Sequence, residues 1–324
     1  MSDPVTRANR RETVGWGMAL IAVAAALWGT DGLFRRGLAL ELPPATIVFW
    51  EHLILVAITF PALRRAWGIA RNRFDRKDWG AMVLIGAGAS ATATALFTAA
   101  FRYGDPTTPL LLQKLQPVLA IIAAWLLLGE RLRPRFGLFV AAALASAWLI
   151  TFADPTQVSA NRVTAGLLAA GAAALWGMGT VLGRHLTARL PATELTALRF
   201  GIGLPAAGIL AFLDEGTAGL GIAASDFPTL LIIALVPGLI ALNIYYRGLH
   251  TTPASLATLA ELAFPLSAVT INYLAFGTTL TATQWVGVIA LSGLLVVMSA
   301  TVRSGGATAA GVEAPEPGVL HPAD

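Results

Sequence analysis

The chain of 324 residues is 56% apolar and only 12% charged, about half the roughly 25% charged fraction of a soluble domain, so the bilayer is its expected solvent. Cysteine is absent, which excludes disulfides, thiolate metal sites and a cysteine nucleophile, and His52, His185, His250 and His321 lie too far apart for zinc-ligand spacing. The formal charge of +4 rests on dispersed basic residues between apolar runs, a topology signal and not a nucleic-acid face.

Apolar runs recur at the roughly 20-residue length that crosses about 30 Å of hydrocarbon. After an N-terminal cytoplasmic tail, 1–15, ten membrane helices are predicted, at 16–38, 44–63, 79–101, 106–128, 135–153, 164–186, 193–213, 227–247, 253–276 and 282–301. The long apolar stretch of the first, and the poor cleavage site Trp28-Gly29-Thr30-Asp31, predict a retained span instead of a removed leader. Residues 154–163 form an outer linker between a first unit, 16–153, and a second, 164–302. The Gly-, Ala- and Pro-rich 303–324 reads as a disordered cytoplasmic tail. Short connectors such as 129–134 and 277–280 make neighbouring spans antiparallel. Alternate segments, counted from the N-terminus, hold 16 Lys and Arg against four (Arg35, Arg36, Arg102 and Arg162) on the other side. That bias places both termini in the cytoplasm of a multi-pass protein of the cytoplasmic membrane. Trp16, Trp67, Trp79 and Trp285 sit near span ends as interfacial anchors, and the charged 64–78 loop meets anionic lipid heads.

At an offset of 148 residues several landmarks coincide. Ala25-Ala26-Leu27-Trp28-Gly29 meets Ala173-Ala174-Leu175-Trp176-Gly177, Arg36 meets Arg184, Pro117 meets Pro265, Gly129 meets Gly277 and Leu132 meets Leu280. Two repeats of five helices follow, and an odd number of spans per repeat inverts the second copy, the plan of many secondary transporters. Leu198-Arg199-Phe200 in the second helix of the second repeat, Leu-Gly-Glu-Arg-Leu at 128–132 and the paired Trp-Gly motifs add to the pattern. Over residues 15–302 the chain resembles the EamA family of the drug/metabolite transporter superfamily. The resemblance implies transport of small organic solutes, often amino acids or related metabolites and often outward. Where the family usually has Arg in the second helix of each repeat, the first repeat here has Trp50-Glu51-His52.

A charge at mid-bilayer costs about 2.5–3.5 kcal/mol, so each calls for a partner or a wet cavity. Glu51 and Lys114 fall roughly 10–12 Å from the outer surface, and Arg199 and Glu261 roughly 9–12 Å from the inner one, which predicts Glu51–Lys114 and Arg199–Glu261 pairs. At the 148 offset Glu51 meets Arg199 and Gln113 meets Glu261. These pairs are either structural clamps or a site. Lys114 and Glu261 favour a site, because Pro117 and Pro265 on the same helices free backbone carbonyls. Gln113, Lys114 and Gln116 line one side of helix four, and Thr258, Glu261 and Pro265 form the matching stripe of helix nine. A zwitterion suits this layout, carboxylate toward Lys114 and ammonium toward Glu261.

Trp28 and Trp176 either stack on a planar solute or pack beside their glycines. Tyr246 and Asn243, like Tyr273 and Asn272, serve solute contact or interhelical hydrogen bonding. Asp31 and Arg35, four residues apart near the outer end of helix one, read as a local salt bridge in preference to a gate. Glu261, Glu51 and His52 are the candidates for proton coupling, His52 alternatively being a packing residue. The expected partners are therefore a small solute, lipid and protons, with no cofactor, metal or nucleic acid. A membrane enzyme lacks its nucleophile and base here, and a channel its rings of like charge. The serious alternative is proton-coupled efflux of lipophilic cations, bound by Glu51 and Glu261 and stacked on Trp28 and Trp176.

Overall fold

The computed structural model describes residues 4–103, 107–116, 118–119, 136–152, 154, 156, 159–252, 257, 260–261 and 263–304. Among these residues every regular element is helical. Gly15–Glu41, Pro44–Arg73, Arg76–Tyr103, Ala160–Leu186, Ala192–Glu215 and Ala218–Thr251 are long and apolar enough to cross a bilayer, and Leu138–Thr151, Leu266–Phe276 and Ala282–Leu294 are shorter apolar helices. Large aliphatic side chains such as Leu213 and Leu274 are about three-quarters exposed, as suits a surface solvated by lipid. The second half of predicted helix four and most of the first part of helix nine fall outside the described residues.

The first predicted helix divides into α1 (Pro4–Trp28) and α2 (Asp31–Glu41). The turn at Gly29-Thr30 is closed by Thr30 N–H to Leu27 O at 3.1 Å and Thr30 Oγ1 to Leu27 O at 2.7 Å. A Cβ on Gly29 would collide with Ser267 and with the Ala268 backbone, so the break sits where α12 (Ala263–Phe276) presses on the turn.

α3 (Pro44–Arg73) starts on Pro44, whose missing N–H costs a first turn nothing, and it runs ten residues past its predicted end at 63. Arg64, Arg65, Arg71 and Arg73 are thus helical and not loop residues. Asp75 caps α4 (Arg76–Val83), accepting from the backbone N–H of Lys77 and Asp78 at 2.7 and 2.8 Å. Those bonds, that from Asp78 foremost, hold the Asp75 carboxyl below its ordinary range, so the cap is present at neutral pH and is lost as acid protonates it. Buried Asp78 binds His185 Nε2 at 2.7 Å and lies 3.6 Å from Arg189, tying α4 to the far end of α8 (Ala160–Leu186).

α4 passes through a first π segment, Leu84–Thr92, into α5 (Ala93–Ala100). α6 (Thr107–Leu112) and α7 (Phe136–Thr151) complete the described part of the first half. In the second half α8 is followed by α9 (Ala192–Glu215), then by α10 (Phe227–Ile233), a second π segment at Ala234–Ile240, and α11 (Ala241–Thr251). Shifted by 148, Pro44 falls on Ala192, where α9 begins, and the first π segment falls on 232–240, over the second. α12 stops at Gly277, whose φ of 62° is the left-handed conformation that glycine supplies without strain, and α13 (Ala282–Ser304) follows.

α1 and α11 cross backbone to backbone at Gly17 and Gly248. A Cβ on Gly248 would lie 2.6 Å from Gly17 O and 2.8 Å from Ile21 Cγ1, whereas one on Gly68 meets nothing within 4 Å. Although alanine is the better helix former, Gly248→Ala is expected to cost about 1–3 kcal/mol through overpacking. Gly68→Ala should be neutral or slightly stabilising, and melting both proteins in detergent checks the contrast.

Candidate functional site

The broken first helix and the two π segments converge on one cavity of about 960 Å³, counting the space open at its mouth. α1 and α2 supply Trp28, Asp31 and Arg35, and α3 supplies Glu51 and His52. The first π segment and α5 give Ser90, Thr94 and Phe97. From the second half come Trp176 and Thr180 of α8, Arg199 and Phe200 of α9, Pro237 and Gly238 of the second π segment, and Tyr245 and Tyr246 of α11. Gln113, Lys114, Gln116, Glu261 and Phe264 close the wall.

Arg35, 2% exposed, carries both carboxylates of one corner. Its Nε and Nη2 donate to Asp31 at 2.6 and 2.9 Å, its Nη1 and Nη2 to Glu51 at 3.0 and 3.1 Å, and Nη1 again to Thr98 Oγ1 at 3.1 Å. A guanidinium has five N–H donors, so this one is fully engaged. The i, i+4 bridge expected between Asp31 and Arg35 is present, with Glu51 as a third member. Arg35, counted above among outer loop charges, is therefore a buried counter-ion and no topology signal.

Lys114 Nζ donates to the backbone oxygen of Glu261 at 3.1 Å, lies 3.9 Å from Glu261 Oε2 and stands 4.6 Å above the Phe264 ring. That carbonyl also accepts from the Phe264 N–H at 3.0 Å, and it lacks the usual donor four places on because Pro265 has no N–H. Tyr245 donates its hydroxyl to Glu261 Oε1 at 2.9 Å. Gln116 Nε2 donates to Thr180 Oγ1 at 3.0 Å, and Thr180 donates to Trp176 O at 3.2 Å. The pairing is thus not the one expected from depth: Glu51 goes to Arg35, and Lys114 to Glu261.

Arg199 has no carboxylate partner among the described residues. Nη1 donates to the Tyr246 hydroxyl at 3.1 Å and Nη2 to Ala89 O at 2.9 Å, while the buried Nε finds no acceptor. Nearby His52 places Nδ1 on Val48 O at 2.8 Å and Nε2 on Ser90 Oγ at 3.0 Å. Because a carbonyl only accepts, Nδ1 carries a proton. Trp28 Nε1 donates to Pro237 O at 2.9 Å, and its ring lies 4.9 Å from that of Tyr245, while Trp176 packs edge-on to Phe97 at 5.2 Å. Each π segment is therefore held by a cavity side chain of the other half: Ala89 by Arg199, Pro237 by Trp28.

Of the residues singled out in the sequence, Trp28, Glu51, His52, Gln113, Lys114, Gln116, Trp176, Arg199, Tyr246 and Glu261 line this cavity. Asn243 does not: its Nδ2 donates to Thr193 Oγ1 at 3.2 Å, joining α11 to α9. Thr258 and Pro117 lie outside the described residues. Sequence reasoning missed Tyr245, Phe97, Thr180 and Phe264 as wall residues. Thr180 was within reach of it, one helical turn beyond Trp176 on the same face.

Among the described residues no group of three His, Asp or Glu side chains is placed to hold a metal. Every described carboxylate in the cavity already faces a cation, the walls are rich in aromatic rings, and Arg199 alone is a charge without an opposite. Such a site suits a planar solute with hydrogen-bond acceptors better than a cation.

The profile of the EamA-like transporter family matches twice, at residues 15–152 and 163–299. The protein named riboflavin transporter ImpX from Fusobacterium nucleatum is 32% identical over 282 residues, 83% of this chain and 92% of that protein. An uncharacterized inner membrane transporter, YicL, from Salmonella typhimurium is 23% identical over 89% of this chain and 96% of its own length. A solved crystal structure at 21% identity superposes with a TM-score of 0.59, covering 89% of this chain and 98% of that one, which extends the likeness to the fold.

Proposed function

The chain belongs to the EamA-like transporter family, and from that premise we propose that it carries a small planar metabolite with hydrogen-bond acceptors, of the riboflavin type, across the cytoplasmic membrane. The observation that carries this reading is the cavity, whose aromatic walls come from both halves and whose only uncompensated charge among the described residues is the Arg199 cation. In this reading ten helices form two inverted repeats that rock about the cavity and open it to either side in turn. The twofold match of the family profile, the common 148-residue register of α3 with α9, and the overlapping π segments support it. Both termini lie in the cytoplasm, and the expected net flow is outward.

Two other solute classes fit the geometry less well. A lipophilic cation would need an unpaired carboxylate, but Asp31 and Glu51 are held by Arg35, and Glu261 faces Lys114. A free amino acid would have to part Lys114 from Glu261 before either charge served it.

Purified protein in liposomes, loaded in turn on the inner and the outer side, tests the proposal. Saturable riboflavin flux is expected, fastest from the cytoplasmic side, with little competition from amino acids or quaternary ammonium dyes. Flux of either of those classes without riboflavin flux would reverse the assignment.

A further inference from the structure

Two arginines face the cavity and their donors are differently committed. Arg35 spends all five N–H on Asp31, Glu51 and Thr98, so it has nothing to offer a solute without releasing a buried carboxylate. Arg199 spends one N–H on Tyr246 and one on Ala89, both neutral, and leaves the remaining three without an acceptor among the described residues. We propose that Arg199 is the solute anchor, taking a carboxylate or an adjacent carbonyl and ring-nitrogen acceptor pair, so that the site selects planar acids and acceptor-edged heterocycles over planar amines. This rests on the reading of the cavity as a solute site and names the chemical edge that the solute must present.

The neighbours leave that role to the solute. His52 faces Arg199 with one ring nitrogen on Val48 O and the other on Ser90. Lys114 and Arg35 have the same sign as Arg199 and repel it. The carboxylates of Asp31, Glu51 and Glu261 are held by Arg35, Lys114 and Tyr245. A half-buried cation without an opposite charge is costly in a low-dielectric site, and an arriving acceptor relieves that cost. The planar guanidinium offers paired, parallel donors, which match the two oxygens of a carboxylate or an adjacent carbonyl and ring-nitrogen acceptor pair and give nothing to an ammonium. The rings of Trp28 and Trp176, which also line the cavity, accept the flat body of either kind of solute.

Selection at Arg199 predicts a pattern across planar probes, two of which share one ring system. The probes are riboflavin, whose isoalloxazine carries adjacent carbonyl and ring-nitrogen acceptors; indole-3-acetate, an acid; and tryptamine, an amine with the same indole. In detergent, riboflavin and indole-3-acetate are expected to raise the melting temperature of the wild-type protein in a concentration-dependent way, and tryptamine to leave it unchanged. Arg199→Gln should lose both shifts. Arg199→Lys, a point charge without the fork, should keep a weakened response to indole-3-acetate and lose that to riboflavin.

Equal shifts from tryptamine and indole-3-acetate on the wild type, no shift from either acceptor probe, or wild-type responses in Arg199→Gln would each overturn the assignment. The comparison of probes on the wild type stands even if a variant fails to fold. Riboflavin flux that persists unchanged in Arg199→Gln liposomes would remove the anchor and leave the proposed function standing. Arg199-dependent binding of indole-3-acetate without riboflavin flux would do the reverse.

Discussion

Arg35→Gln is expected to be the most damaging single substitution in the cavity wall, with a large fall in melting temperature and little folded protein recovered. Among the described residues the guanidinium is the only cation bonded to two buried carboxylates, and its removal leaves Asp31 and Glu51 unpaired, of like charge and close together. Removing one partner of a buried ion pair costs about 3–5 kcal/mol, and here one deletion strands two charges. That loss approaches the whole stability of an ordinary domain, about 5–15 kcal/mol. Arg35→Lys should fall between, since a single ammonium cannot reach both carboxylates and Thr98 with five parallel donors. Replacing the entire group, Asp31→Asn with Arg35→Met and Glu51→Gln, should recover much of the stability, because no charge then remains to be desolvated. Thermal unfolding of the three proteins in the same detergent decides it. An Arg35→Gln protein as heat-stable as the wild type would show that the three groups are not the clamp their geometry describes.

The Arg35 cluster also marks where the sequence was legible and where it was not. The i, i+4 spacing of Asp31 and Arg35 announced their bridge, because helical periodicity is local. Glu51 was assigned to the wrong partner, because depth along one helix says nothing of which side chain faces it across the bundle. The same limit applied to Lys114 and Arg199. Their depths were counted from opposite surfaces, yet both face one cavity at which the helices of the two halves meet. The six long apolar helices followed from apolar length, since lipid imposes that length on every crossing. The break at Gly29 did not, for it depends on the approach of Ser267 from a helix more than two hundred residues later. The π segments at 84–92 and 234–240 left no pattern in composition that separates them from the α-helix around them, but they lie over each other in the register that the Trp-Gly motifs had already set. Proline was the most informative single residue type: the missing N–H of Pro265 deprives the Glu261 carbonyl of its donor four places on, and Lys114 bonds that carbonyl alongside the Phe264 N–H.

Lys114 and Glu261 bring the second large effect, and one in which structure and transport can be separated. Lys114→Gln should abolish riboflavin flux and lower the melting temperature, because Glu261 keeps only the Tyr245 hydroxyl to support a buried carboxylate. Glu261→Gln should also abolish flux, but with a smaller loss of stability. Lys114 would retain the Glu261 main-chain oxygen and the face of the Phe264 ring, both of which favour a cation. The Nζ to Oε2 distance of 3.9 Å is long for a charge-assisted bond, so the main-chain contact at 3.1 Å, which the Glu261→Gln protein keeps, carries more of the lysine's support than the carboxylate does. The paired substitution Lys114→Met with Glu261→Met distinguishes a clamp from a working part. Two apolar side chains of similar length leave no charge to compensate, so stability should return toward that of the wild type. Flux should not return under the proposed alternating access, in which this contact opens and closes, because methionine cannot exchange partners with a polar solute. A doubly substituted protein that transports riboflavin at the wild-type rate would reduce the pair to a structural tie.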